Sequence, residues 1–183
     1  KRYFGFSNIS DDNLKKINLE YGSIEGFVGQ EFNYNSNSNA QKYWWVNQNK
    51  SFKEETLGGY MWSPKKQKGG QSSVYYNNML RVKPGDLVYS YYAQKIHRIG
   101  IVESKGYSFE KPLELTKTDW GLEGWKVNVD YTELKNPVSI KDHIDSLRPL
   151  LPDKYKPFSL DGDGLEFYLT EVPNELAEGI NKI

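Results

Sequence analysis

The stretch YWWVNQNKSF, residues 43–52, begins as an aromatic run and ends in amides at positions 47–49. Successive side chains of a strand point to opposite faces, so Trp44 and Trp45 cannot both line one pocket, and we expect one of them in the core. Amide side chains offer a hydrogen-bond donor and an acceptor together. The stretch therefore predicts a buried strand that leads into a polar edge suited to a flat ligand.

Composition narrows the class of protein. The chain has 183 residues, 37% hydrophobic and 15% aromatic, which favours one domain with an aromatic-rich core. The absence of Cys excludes disulfides and thiolate chemistry, and two His argue against a zinc or iron site, so no cofactor or metal is expected. Neither a secretory signal nor an apolar run of about 20 residues is present, which makes a cytoplasmic protein the expectation.

Charge is neutral in sum but uneven along the chain. Residues 41–107 contain eleven Lys or Arg and four Asp or Glu, whereas residues 108–183 contain nine and fifteen. A basic segment in a neutral chain is a candidate phosphate-facing surface. The alternative is that the basic and acidic segments face each other across the fold.

The first forty residues differ from the rest. SDDNLKKINLEYG, residues 10–22, predicts a short helix capped by Ser10 or Asp11. EFNYNSNSNA, residues 31–40, is too polar to order itself and predicts a linker. We therefore expect an N-terminal appendage over 1–40 and one compact domain over 41–183.

The compact part reads mainly as short strands. Pro84-Gly85-Asp86 predicts a turn, and Leu80 and Val82 are expected to point inward. The predicted strands are KYWWV (42–46), GGYMW (58–62), DLVYSYY (86–92), IHRIGIVESKGY (96–107), GWKVNVDYTEL (124–134) and GLEFYLTEV (164–172). The predicted helices are VYYNNMLRV (74–82), SIKDHIDSLRPLL (139–151) and PNELAEGI (173–180). Five or six strands with flanking helices predict an α+β fold built on a small twisted barrel.

No catalytic constellation is visible. His97 and His143 have no plausible Ser or metal partner, and DGDG at 161–164 lacks the spaced oxygen ligands of a calcium loop, so it predicts a turn. The chain has neither a P-loop nor a dinucleotide-binding fingerprint. These observations indicate a binding module rather than an enzyme.

Two tryptophans are placed for ligand stacking. Trp62 precedes Ser63-Pro64 and Trp120 precedes Gly121, so each lies at a strand end or in a loop, where one ring face can stay open. The alternative is that both rings cap the ends of the barrel. Aromatic walls with an amide floor are how an extruded base is held. The predicted pocket comprises Asn47, Gln48, Asn49, Trp62, Ser63, Tyr76, Asn77, Tyr91 and Trp120.

Basic residues surround this predicted pocket. Lysine and arginine contacts to phosphate supply affinity and orientation without reading sequence. For the lysine-rich loop after Pro64, plain solubility is the competing explanation. The predicted phosphate-binding residues are Lys42, Lys65, Lys66, Lys68, Arg81, Lys95 and Arg98.

Several segments together resemble a known family. YWWVNQNKSFKEE, GGYMWSPK, YYNNMLRVKPGDLVYSYY and IHRIGIVES resemble the EVE-like branch of the PUA superfamily. GWKVNVDYTELKNP, KDHIDSLRPLLPDKY and GDGLEFYLTEVPNELA resemble the N-terminal EVE-like domain of prokaryotic modification-dependent restriction endonucleases that carry an HNH nuclease. The resemblance covers about residues 41–180, and it is specific as a set rather than motif by motif.

That resemblance implies a module that flips a methylated or hydroxymethylated cytosine out of double-stranded DNA into a pocket. A more distant resemblance to YTH domains, which bind N6-methyladenine in an aromatic cage, rests on KYWWVNQN and Trp62-Ser63. It implies Trp62 as one cage wall, Trp120 as the second, and the amides of residues 47–49 at the base edge. The chain shows no nuclease motif, so a nuclease in the same or another chain is the expected partner.

Two alternatives remain open from the residues. PUA-like and YTH domains often bind RNA, so the chain is alternatively a reader of a modified ribonucleotide. A small enzyme or small-molecule sensor on the same barrel is the third reading, against which the scarcity of His, Cys and clustered acids argues.

Overall fold

The computed structural model describes residues 41–183, and the predicted appendage over 1–40 lies outside the described residues. Within residues 41–183 there are seven strands and four short α-helices, and four 3₁₀ turns directly adjoin the first three helices. The strands are β1 (Tyr43–Asn47), β2 (Tyr60–Pro64), β3 (Leu87–Tyr92), β4 (Lys95–Val102), β5 (Tyr107–Glu110), β6 (Glu123–Ser139) and β7 (Leu169–Val172). The helices are α1 (Phe52–Gly58), α2 (Val74–Asn77), α3 (Ile144–Leu147) and α4 (Asn174–Asn181). The expected α+β class with a small twisted sheet is confirmed.

One sheet runs through the described residues in the order β2-β6-β4-β3-β1-β7, with β5 paired to β6. The pair β1–β3 is parallel, and the other pairs are antiparallel. The sheet curls so far that its two ends meet: the Trp62 amide of β2 donates to the hydroxyl of Tyr168, the residue before β7, at 2.8 Å. Side chains thus complete a barrel that the strands leave partly open.

Alternation along β1 divides its aromatic residues between two cores. Trp44 packs in one buried cluster with Met61, Val88 and Val127, and Trp45 packs in another on the opposite face. Both side chains are fully buried. The expectation that only one of them belongs to the core is wrong, because the sheet is covered on both faces at this strand.

The second core is completed by the end of the chain. Helix α4 contributes Leu176, Ala177 and Ile180 to the cluster that contains Trp45. These three residues recur at helical spacing on one face, so burying that face against the sheet is the main stabilisation of so short a helix. The helix predicted at 173–180 is therefore present and carries part of the core.

Elsewhere the structure departs from the sequence reading. Helix α1 and strand β5 were not predicted, the last strand spans only Leu169–Val172, and β6 continues to Ser139 instead of ending at 134. The predicted helix over 139–151 is instead α3 between two 3₁₀ turns, the second of which has a proline in its first turn. Leu80, expected inward, is half exposed, because the chain tightens into a 3₁₀ turn that points Met79 inward.

Candidate functional site

Trp62 and Trp120 meet, as a two-walled site requires. Their ring centres lie 5.7 Å apart with an angle of 34° between the planes, and Trp120 also meets Tyr168 edge-on at 5.5 Å. The Trp62 ring lies across Gly124, where an added Cβ would come within 2.1 Å of it. Its Nε1 donates to the carbonyl of Phe109 at 3.1 Å. Gly124 and the Phe109 carbonyl therefore hold the Trp62 ring in place, while Trp120 packs against it.

The space between the two rings is closed in this structure. Trp62 is fully buried, and Trp120 is half-buried. An aromatic base stacked between two rings needs their planes about 7 Å apart, two contacts of about 3.5 Å each. The observed separation is smaller, so a base enters only if Trp120 moves.

Trp120 lies in a loop that has no regular structure of its own. The loop, residues 111–122, closes on itself through a bond from the Lys111 amide to the Leu122 carbonyl at 2.7 Å. The Lys111 ammonium also donates to the carbonyl oxygens of Thr118 at 2.7 Å and Trp120 at 3.4 Å. Such compact loops with adjoining ends are frequent at binding sites. Lys111 is thus one of the contacts that hold the backbone of this loop near Trp120.

A buried polar network lies behind Trp62. The Tyr168 hydroxyl accepts from the Trp62 amide and donates to Glu55 Oε1 at 2.9 Å, and Gln48 Nε2 donates to Glu55 Oε2 at 2.7 Å. Gln48 Oε1 accepts from the Ser90 hydroxyl. Glu55 and Gln48 are both buried. The network connects the Trp62 backbone to an acid in the protein interior.

Glu55 titrates far from its ordinary range. Burial raises the pKa of its carboxyl from 4.5 to about 8, against the opposing effect of donors from Gln48, Tyr168, Trp62 and Ser51. At neutral pH this carboxyl is therefore mostly protonated. Two tyrosines of the same region, Tyr131 and Tyr168, have pKa values held well above 10 by burial. The site behind Trp62 is thus uncharged at pH 7.

The three amides predicted at the base edge do different things. The Asn47 side-chain amide donates to the Leu165 carbonyl at 2.7 Å, and the backbone N–H of Asn47 donates to the Tyr168 carbonyl at 2.8 Å. Gln48 is committed to the buried network. Asn49 is exposed and has φ +38, a backbone conformation that Asn tolerates better than most residues. Of these three amide side chains, only that of Gln48 belongs to the network behind Trp62, which it joins through its hydrogen bond to Glu55.

The other predicted pocket residues are scattered. Ser63 is buried beside Trp62, and its hydroxyl has no hydrogen-bond partner in the described part of the chain. Tyr76 packs half-buried against the Trp44 core, and Asn77 is exposed. Tyr91 packs against Trp45 at 4.6 Å, in the core on the other face of the sheet. The structure does not bring Tyr91 to Trp62.

The predicted phosphate-binding residues fall into three groups. Lys42 and Arg81 share the carboxylate of Glu171. Lys95 and Arg98 belong to β4, where Arg98 pairs with Glu133 at 3.2 Å. A third group, near the tryptophan pair, contains Lys65, Lys66 and Lys68.

Only the third of these groups lies beside the candidate site. Lys65 lies 4.6 Å above the ring of Trp125, and Lys68 pairs with Asp119, the neighbour of Trp120, at 3.2 Å. Hydrogen bonding to Lys68 lowers the pKa of the exposed Asp119 carboxyl. The lysine loop is thus the basic surface next to Trp120.

Sequence reasoning missed Glu55 and Tyr168. Glu55 lies in KEET, which looks like a solvated segment, yet α1 turns it inward. The signal was present at the helix ends: Ser51 stands three residues before Glu54, the spacing of a capping box, and Gly59 with φ +67 ends the helix. Tyr168 gave no such signal, because its role depends on the closing of the sheet.

Within residues 41–183 no group of three or more His, Cys, Asp or Glu could hold a metal ion. Over the same residues, every helix is too short or too polar to cross a membrane.

Comparison with protein-family models gives no match, and comparison with curated proteins gives none either. Several solved structures are similar to the chain. One is the NMR structure of Rpa0253 from Rhodopseudomonas palustris, with a TM-score of 0.49 and 16% identity, covering 77% of this chain and 91% of that one.

Two other similar structures are YTH domains. The YTH domain of Zygosaccharomyces rouxii MRB1 protein, in complex with N6-methyladenosine RNA, has a TM-score of 0.46 and 11% identity and covers 82% of this chain and 88% of that one. The Pho92 YTH domain in complex with m6A has a TM-score of 0.44 and 13% identity, covering 82% and 89%.

Proposed function

We propose that residues 41–183 form a DNA-binding module that recognises a modified base by holding it between Trp62 and Trp120. The observation that carries the proposal is this tryptophan pair, one ring fixed and the other on a loop, 5.7 Å apart. A fixed wall and a movable wall permit capture of a flat ring that has been turned out of a duplex. The module itself does no chemistry in this proposal.

The groups around the pair suit a neutral, polar-edged ring. Glu55, mostly protonated at pH 7, and the Tyr168 hydroxyl leave no net negative charge behind Trp62. Lys65 and Lys66 stand at the end of β2 for phosphate contacts.

The biological setting follows from the sequence resemblance. We propose that the module is EVE-like, that the modified base is a methylated or hydroxymethylated cytosine or N6-methyladenine, and that a nuclease domain or subunit acts on the DNA it marks. Such a module would serve a modification-dependent restriction system. The alternative, a reader of modified RNA, is tested in the same experiment.

The test is a fluorescence titration with short duplexes of one sequence. They carry cytosine, 5-methylcytosine, 5-hydroxymethylcytosine or N6-methyladenine, with a matched RNA, at two salt concentrations. We expect one modified DNA duplex to bind more tightly than the unmodified one, with affinity falling as salt rises. Equal binding of all duplexes would refute base recognition, and preference for the RNA would replace DNA by RNA as the ligand.

Two variants tie the result to the tryptophan pair. Trp120→Ala removes the movable wall and should cost about 1–3 kcal/mol of binding to the preferred duplex. Leu113→Ala is the matched control, since Leu113 lies in the same loop and is 93% exposed. If Trp120→Ala binds the preferred duplex as tightly as Leu113→Ala does, the pocket is elsewhere.

A further inference from the structure

Strand β5 presents aromatic rings to solvent beside the tryptophan pair. Among residues 41–183 it pairs with β6 alone, and all four of its residues are exposed. Tyr107 and Phe109 stand two residues apart and so share a face, with exposed fractions of 37% and 42% and ring centres 6.0 Å apart, edge to face. Both rings therefore have far larger exposed fractions than the core side chains of the described residues.

A lysine completes this surface. Lys126 of β6 lies directly across from Tyr107 in β5 and from Trp62 in β2. Its ammonium is 4.3 Å from the centre of the Phe109 ring and 4.4 Å from that of Tyr60. Cation–π contacts hold the charge against the rings, and the Lys126 residue is half-buried rather than enclosed. We call Tyr107, Phe109 and Lys126 the β5 surface.

The β5 surface is continuous with the proposed base site. Trp62, Lys126 and Tyr107 form one row across three neighbouring strands, which spans about 10 Å at about 4.8 Å per strand. The absence of a side chain at Gly124 lets the Trp62 ring reach across to β5, where its Nε1 bonds to the Phe109 carbonyl. The Trp62 ring, which is the fixed wall of the base site, therefore adjoins the β5 surface at Phe109.

We propose that the β5 surface binds a second nucleotide, the neighbour in the same strand of the one held at Trp62, when that neighbour is itself unpaired. This inference rests on the proposed function, and it extends the site from one base to two. A base would stack on Phe109 or Tyr107, and the phosphate between the two nucleotides would meet the Lys126 ammonium. Exposed rings beside a cation are the arrangement with which proteins hold single-stranded nucleic acid.

Two features favour a nucleotide over a second protein chain here. The Tyr107 hydroxyl donates to Asn128 Oδ1 at 3.0 Å, so the ring is already oriented and loses little freedom when a base stacks on it. A protein partner docking on these rings would bury the Lys126 charge, which costs free energy unless an anion pairs with it. A nucleotide brings that anion with it.

The test measures binding of unmodified single strands, a twelve-nucleotide oligo-dT and an oligo-U of the same length, by fluorescence anisotropy at low salt. Phe109→Ala, which keeps the carbonyl that Trp62 needs, and Tyr107→Ala are expected to weaken binding of the better strand by about 5- to 150-fold each. Tyr92→Ala is the control, because Tyr92 is equally exposed, at 38%, beside Lys95 at the opposite end of β6. Equal urea midpoints would establish that the variants fold.

Several outcomes would overturn the inference. They are a change of less than twofold in both variants, an equal change in Tyr92→Ala, and no binding of either strand by the parent protein. A shift in oligomeric mass on Phe109→Ala, measured by sedimentation without oligonucleotide, would assign the surface to a second copy of the chain instead.

Failure here is distinguishable from failure of the proposed function. The proposed function is measured by the ratio of affinities for modified and unmodified duplexes, which Trp120→Ala should lower and Phe109→Ala should leave unchanged. A parent ratio of one with a large Phe109→Ala effect would refute base recognition and leave the β5 surface standing. A parent ratio well above one with no effect of Phe109→Ala would support base recognition and refute nucleotide binding at the β5 surface.

Discussion

Glu55 should make the protein less stable as pH rises through the neutral range. Its pKa is raised by burial from 4.5 to about 8, so between these values the folded chain binds a proton that the unfolded chain has lost. Stability therefore falls as pH rises from about 4.5 to about 8 and is level above that. At about 1.4 kcal/mol per pKa unit, the full effect is about 5 kcal/mol, of which about 4 lies between pH 5 and 9.

The variant Glu55→Gln removes the titration. A Gln amide can accept from Tyr168 or Gln48 through its oxygen, but its NH₂ then faces a donor, so we expect a fixed cost that does not depend on pH. The readout is the slope: the free energy of unfolding of the parent, minus that of the variant, should fall by about 4 kcal/mol from pH 5 to pH 9. Urea unfolding followed by tryptophan fluorescence measures it.

Other groups cancel in this difference. Burial lowers the pKa of His97, so its own contribution is present above about pH 6.5 and lost as pH falls, in parent and variant alike. A difference that is flat within about 1 kcal/mol would refute the reasoning. A difference that is flat from pH 5 to 9 and falls only below about pH 5 would mean that the donors around Glu55 outweigh its burial and hold it ionised. Should Glu55→Gln not fold, Tyr168→Phe tests the same balance, because losing a donor to the carboxylate should raise the pKa of Glu55 further.

Three further changes test the framework of the site. Gly124→Ala drives a Cβ into the Trp62 ring and should lower the free energy of unfolding by about 1–3 kcal/mol and change the tryptophan emission spectrum. An unchanged spectrum and an unchanged urea midpoint would contradict this packing. Gly59→Ala strains the left-handed end of α1 and should cost about 1 kcal/mol by urea unfolding, whereas a stabilised variant would mean that the helix ends differently. Lys111→Met releases the carbonyls of Thr118 and Trp120 and should speed acrylamide quenching of tryptophan, with quenching at the parent rate arguing that other contacts hold the loop.

Local sequence patterns predict several of the strands and helices, but they do not predict that the two ends of the sheet meet. The strand at DLVYSYY and the helix at PNELAEGI follow from alternation and helical spacing, which depend on neighbours in sequence. Strand β5 was missed because YSFE alternates aromatic and polar residues over only four positions, too few for periodicity to decide, and none of the four is buried. Tyr168 acts only because the two ends of a curled sheet meet, a consequence of topology that no window of sequence contains.

The candidate site divides in the same way. Position in loops and strand ends singled out Trp62 and Trp120, and the structure brings them together, although their role stays a prediction. Tyr91 was grouped with them on residue type alone, whereas strand parity puts Ser90 toward the Trp62 network and Tyr91 toward Trp45. Residue type indicates which interactions a side chain can make. The register of the sheet decides on which face of the sheet that side chain lies.

A closed tryptophan pair has a consequence for affinity. If the open form with Trp120 displaced is a minor state, the apparent affinity for a base is reduced by the fraction of protein that is open. Contacts that hold the loop, such as those of Lys111, would then lower affinity for every base equally, whereas contacts made inside the open pair would set the preference among bases. Loosening the loop should accordingly tighten binding of modified and unmodified duplexes by the same factor and leave their ratio alone. A ratio that changes with Lys111→Met would mean that Lys111 itself, and not only Trp120 of the same loop, takes part in discriminating among bases.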